Sequence, residues 1–156
     1  MKSFVRGYIE AGNAADPAVE ASYYANEVDY FDNGKLTKDF INGDVAKYDK
    51  RWPTRVYHLS GEPEVTVVDS GRDIAKAVFK FQFMIGNVQR TIRGDGESVL
   101  LIENARTNPK VISVKSKILN RQDQPSHFGL RHNGLSSLCR PAAKLADQPR
   151  GICQLL

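Results

Sequence analysis

The sequence predicts an α+β domain, with three N-terminal helical segments packed on a curved antiparallel sheet. Three observations carry that expectation. Apolar residues recur at helical spacing as far as Trp52 and then alternate with period two as far as Asn120. Turn signals, among them Asp32-Asn33-Gly34, Ser70-Gly71-Arg72 and Thr107-Asn108-Pro109, punctuate the pattern. The pattern then stops, dividing the chain into a body of residues 1–120 and a tail of residues 121–156.

Each element has its own local signal. Phe4, Val5, Tyr8, Ile9 and Gly12 fall at helical spacing. Asp16-Pro17 reads as an N-cap followed by proline at the first helical position, opening a short helix through Ala25. Val28–Phe31 alternates like a strand and runs into the Asp-Asn-Gly turn. Thr37 caps a third helix carrying Phe40, Ile41, Val45, Tyr48 and Trp52 on one face, and Pro53 ends it. Arg55–Leu59 and Glu64–Asp69 read as a strand broken at Gly61 and Pro63. In the next strand Ala75, Ala77, Phe79, Phe81, Phe83 and Ile85 share one face, while Lys76, Lys80 and Gln82 share the other. Gly94-Asp95-Gly96 reads as a hairpin turn, and Glu97–Ala105 and Lys110–Leu119 supply two final strands. The sheet is expected to be antiparallel, with one face against the helices.

Composition narrows the function classes. The 156 residues carry 22 Lys and Arg against 18 Asp and Glu, a formal net charge of +4. Residues 1–120 hold 17 of these cations and 16 of the anions, so most of the excess lies in the tail. An evenly charged body has no stripe for tracking phosphates, which argues against nucleic acid as a partner. No run of about 18 apolar residues is present, so no membrane-spanning helix is expected. The first residues lack a continuous apolar segment of the signal-peptide kind, which points to the cytoplasm, with excision from a secreted parent left open. The tail holds three of the seven prolines and a single aromatic residue, Phe128. It is expected to be flexible or draped over the body, because so few large side chains cannot offset its ordering entropy. Its His127, His132, Cys139 and Cys153 lack the spacing of a structural zinc site. Neither a metal nor another cofactor is expected.

The stretches Tyr8-Ile9-Glu10 through Asp16, Tyr24-Ala25-Asn26, and Val28 through Gly34 together resemble the nuclear transport factor 2-like superfamily. That group includes the ketosteroid isomerases and the SnoaL-like cyclases. The resemblance covers residues 1–120. Tyr48-x-x-Arg51-Trp52-Pro53-x-Arg55 is similar to a subgroup of appended, non-enzymatic modules. The resemblance implies a cone-shaped α+β barrel with a pocket between helices and sheet, and homodimerisation through the outer sheet face. Its pocket would be lined by Tyr24, Tyr30, Tyr48, Trp52, His58, Phe79, Phe81 and Phe83.

Two residues match isomerase roles by position. Tyr8 falls at the oxyanion tyrosine on the first helix, and Asp32 falls near the general base, one residue out of step with Gly34. The position of the second acid falls on Leu101, which cannot donate a hydrogen bond. Each match also has a structural reading: Asp32 as a turn former bonding its own backbone, and Tyr8 as a core aromatic. His58 reads as a pocket-lining or strand-surface residue facing opposite to Tyr57. Arg51 and Arg55 fit either a helix C-terminus or a cationic rim at the pocket mouth. The sequence therefore supports a small-molecule-binding or protein-interaction module with an aromatic pocket. The alternative is an enzyme acting on a hydrophobic cyclic substrate, with Asp32 as base and Tyr8 as its electrophilic partner.

Overall fold

Capping signals place the second and third of the three described helices, and apolar spacing the first. A computed structural model describes residues 1–14 and 16–125. Helix α1 spans Lys2–Ala11 and turns Val5, Tyr8 and Ala11 inward. Helix α2, Pro17–Ala21, begins where the Asp16 side chain accepts from the Ala18 amide at 2.9 Å. It ends four residues earlier than its sequence suggests. Tyr24 and Ala25 instead open strand β1 (Tyr24–Tyr30), because that segment pairs with the last strand. Helix α3, Lys38–Arg51, is capped by Thr37, whose hydroxyl accepts from the Phe40 amide at 3.3 Å. Ile41, Val45 and Tyr48 form its buried face. Phe40, expected on that face, is 52% exposed: it lies in the first turn, roughly 100° around the axis from Ile41.

The remaining strands are β2 (Lys35–Thr37), β3 (Thr54–Leu59), β4 (Glu64–Asp69), β5 (Ile74–Gly86), β6 (Arg90–Glu103) and β7 (Lys110–Pro125). They join β1 in a seven-stranded sheet of order β2-β1-β7-β6-β5-β3, with β4 also pairing with β5. The sheet is mixed rather than antiparallel throughout, since β1 runs parallel to β7 while every other pairing is antiparallel. The parallel pair arises because helix α3 and the long meander separate β1 from its partner, so the chain returns in the same direction.

Two further expectations change. Gly94-Asp95-Gly96 lies inside β6 and is no turn; the hairpin reverses at Asn87, whose side-chain oxygen accepts from the Gln89 and Arg90 amides. The glycines serve close packing there. A Cβ on Gly96 would collide with the Phe81 ring, and one on Gly94 would stand 2.8 Å from Cζ of Phe83. Strand β7 also continues past Asn120, pairing Arg121–Pro125 with Arg90–Gly94. The tail from residue 126 onward, including His127, His132, Cys139 and Cys153, lies outside the described residues. Among those that are described, no group of three or more residues of metal-ligating type comes together, and no helix is long and apolar enough to cross a membrane.

The core sits between the helices and one sheet face. Phe79, Phe81, Phe83 and Ile85 from β5 meet Ile92, Leu100 and Ile102 from β6 and Val111 and Val114 from β7. The alternation along β5 is read correctly from its sequence: the residues between these are more exposed.

Candidate functional site

The enclosed side of the sheet gathers tyrosines. Tyr8 reaches from α1 to Tyr24 at the start of β1, and their hydroxyls lie 2.9 Å apart. The Tyr8 ring meets those of Tyr24 and Phe79 edge-on, with centroids 5.9 and 6.5 Å away. Tyr24 in turn meets Tyr30 at 6.0 Å. On the other side of this interior, Tyr48 of α3 and Tyr57 of β3 share a hydroxyl contact of 2.7 Å. Tyr30 donates to Asp44 of α3 at 3.3 Å. All five tyrosines are buried, so each hydroxyl needs such a partner to offset its lost water.

Charged groups border this aromatic set. Arg55 of β3 has only 5% of its side chain exposed. It forms an ion pair with Asp49 Oδ1, donates to the Ala14 carbonyl at 2.5 Å, and lies over the Tyr48 ring at 5.8 Å. It is therefore an internal strut between the first loop, α3 and β3, and not a cationic rim. Asp49 Oδ2 is buried without a hydrogen-bond partner among the described residues. Glu20 of α2 is half-buried overall, but its carboxyl is desolvated. Burial pushes that carboxyl up from 4.5 to about 7; Arg55 pulls it back and Asp44 pushes it further up. Tyr24 is also held well above its ordinary range, first by burial and then by the charges of Tyr8, Tyr30 and Glu20 and by its hydrogen bond with Tyr8.

Of the expected site residues, Tyr8, Tyr24, Tyr30, Tyr48, Phe79, Phe81 and Phe83 converge in this one hydrophobic cluster. Trp52 belongs to the same cluster at 0% exposure, with the Arg51 and Arg90 guanidinium carbons 5.5 and 5.2 Å from its ring. Its Nε1 is buried with no partner among the described residues.

Two candidates fall elsewhere. Asp32 is exposed. Phe31 adopts a left-handed backbone (φ 53°) while its own ring stays buried, and the chain reverses there, which carries Asp32 out into the turn. Asp32 therefore stands at the solvent surface of the turn, whereas the Tyr8 hydroxyl is buried against that of Tyr24. His58 is exposed as well, on the face opposite Tyr57, as strand alternation demands.

Glu20 was not among the residues singled out from sequence, because a glutamate in the first turn of a helix reads as a solvated complement to the helix dipole. Its spacing of four from Tyr24 was the available signal. On a helix running through Ala25 the two would share a face.

No protein-family model matches the chain, and no curated protein matches it in sequence. Solved structures do resemble it in fold. A provisionally named aromatic ring hydroxylase from Novosphingobium aromaticivorans superposes with a TM-score of 0.66 at 13% identity, covering 80% of this chain and 90% of that one. A hexachlorocyclohexane dehydrochlorinase of type 2 gives 0.63 at 9% identity, over 85% and 90%. A nuclear transport factor 2-like superfamily protein from Salmonella enterica serovar Typhimurium gives 0.57 at 15% identity, over 85% and 94%. Three helices on one face of a mixed sheet, closed over an aromatic interior, define the class. The chain has the nuclear transport factor 2-like fold.

Proposed function

We propose that the space between the helices and the sheet is a cone-shaped pocket that binds a hydrophobic small molecule with an aromatic or cyclic body. The observation that carries this reading is the convergence of five buried tyrosines, from α1, β1, α3 and β3, on one interior. An interior built only for stability is served by Leu, Ile and Phe, which bring no hydroxyl to satisfy. Tyrosines add polar points on apolar walls, the combination that fixes the orientation of a ligand. The structural neighbours lend the reading support, since their fold houses proteins named for chemistry on ring compounds.

A second reading, proton transfer on the bound molecule, is favoured by one observation: a desolvated carboxyl, Glu20, titrates near neutrality at the border of the tyrosine set. On this reading Glu20, rather than the exposed Asp32, is the acid–base group.

One experiment tests both readings. 2-Naphthol and 2-tetralone are titrated by NMR and thermal shift, and 2-tetralone is also followed for deuterium uptake next to its carbonyl in D2O. Binding is expected to raise Tm by a few degrees and to move the resonances of Tyr8, Tyr24 and Tyr57. Loss of the binding reading would show as no shift with either compound. Protein-dependent deuterium uptake that disappears in Glu20→Gln supports proton transfer. Uptake no faster than buffer, with binding intact, leaves a binding module alone.

A further inference from the structure

The sheet face turned away from the helices carries a site of different chemistry. Strand register sets two cross-strand rows there: Val56, Met84, Arg93 and Gln122 in one, and His58, Gln82, Asp95 and Asn120 in the next. These eight residues, with Phe83 and Gly94 between them, line an open groove of about 440 Å³, a volume suited to a small molecule. Phe83 and Gly94, between the two rows, face the core, so on this side of the sheet the groove floor meets their backbone. Val56 and Met84 supply an apolar wall, and the remaining side chains are polar.

The polar groups are not equivalent. Asp95 and Asn120 hold each other: the Asn120 amide donates to Asp95 Oδ2, and the Asp95 backbone N–H donates to Asn120 Oδ1 at 3.2 Å. Arg93 stands two residues from Asp95 on the same strand and forms no ion pair with it. The contrast with the other arginines is informative. Arg6, Arg55, Arg72, Arg106 and Arg121 each pair with an acid, and Arg51 and Arg90 each lie over the Trp52 ring. Among the described residues, Arg93 is the one arginine with neither an acidic partner nor an aromatic face. Gln122 lies directly opposite it and Gln82 diagonally across, both with side-chain amides that no described residue engages.

We infer that this groove binds a small organic monocarboxylate. Arg93 grips the carboxylate through its planar fork, the Gln82 and Gln122 amides donate to it, and the apolar body of the ligand lies against Val56 and Met84. The lining holds a single guanidinium beside a carboxylate already engaged by Asn120. That charge balance suits one negative charge and disfavours a dianion such as phosphate. The inference is independent of the interior pocket, because it concerns the opposite face of the sheet.

The test is an NMR titration of the full chain with 1-naphthoate, 1-naphthamide and inorganic phosphate, with sedimentation velocity run in parallel. Naphthoate is expected to shift the resonances of Gln82, Arg93 and Gln122, and to bind at least tenfold more tightly than the other two probes. Arg93→Gln should weaken naphthoate at least tenfold, while Arg72→Gln, on a distant turn, leaves it unchanged. Arg93 is exposed, so its variant is expected to keep the wild-type Tm, which separates lost contact from lost fold. Several results would overturn the inference: equal binding of naphthamide, tighter binding of phosphate, full affinity in Arg93→Gln, or shifts confined to the interior tyrosines. Occlusion of the groove by a second copy, seen as naphthoate binding that vanishes as the protein self-associates, would do so too.

Discussion

At the scale of single residues, burial follows side-chain period closely and departs from it where the backbone turns. Trp52 shows the first case. Its position at the end of the helix α3 stripe predicts an inward ring, and the ring is fully buried, with the Arg51 and Arg90 cations both close to it. Trp52→Ala removes one of the largest side chains in the core and is expected to cost about 3–5 kcal/mol, read by urea denaturation. A loss under about 1 kcal/mol would mean that the ring is not a core element. Asp32 shows the second case. The Asp-Asn-Gly signal was legible as a turn, but the outward swing at Phe31 depends on a left-handed backbone at a residue that does not favour one. Phe40 was misplaced for a related reason. A helical stripe read from sequence has no sharp edge, and in the first turn the neighbouring Ile41 takes the buried position.

Among the elements, the short helix α2 has consequences out of proportion to its five residues. Its start was legible, because Asp16-Pro17 encodes both the cap and the first helical φ. Its end was not, since the competing demand comes from β7, more than eighty residues away, with Val111 donating to the Tyr23 carbonyl at 2.9 Å. Glu20 rides on this helix, and its raised pKa makes stability depend on pH. The folded state keeps the Glu20 proton up to about pH 7, whereas the unfolded chain releases it near 4.5. Between those values the folded state binds more protons, so this group's contribution is complete below the lower value and is lost as pH rises through the upper one. The loss is on the order of 1–2 kcal/mol once partial exposure of the side chain is allowed for. Glu20→Gln should flatten the fall in unfolding free energy between pH 5 and 8 relative to wild type. An unchanged slope would place the carboxyl in water.

For the molecule as a whole, the α+β class and the enclosed aromatic face were legible because both rest on periodicity, which survives without knowledge of neighbours. The mixed character of the sheet, and where its last strand ends, were not. Residues 121–125, Arg-Gln-Asp-Gln-Pro, have no apolar alternation, because both of their faces meet water. They are strand because the hairpin to β6 is already closed, so that continuing the ladder adds hydrogen bonds at little further entropic cost. The sequence pattern ends at Asn120, but the pairing ends at Pro125, and the two boundaries can be told apart by experiment. A chain stopped at Asn120 takes from Arg90–Gly94 their β7 partners, leaving only the pairing to β5, and removes Gln122 from the outer groove. A chain stopped at Pro125 keeps both. The shorter chain is expected to be less stable by about 1–2 kcal/mol, a fall in Tm on the order of 5 °C relative to the longer one. Hydrogen exchange of the Arg90–Gly94 amides should quicken selectively in the shorter chain. Equal melting temperatures with equal exchange would mean that the ladder beyond Asn120 adds nothing to the fold, and that the boundary lies where the apolar pattern stops.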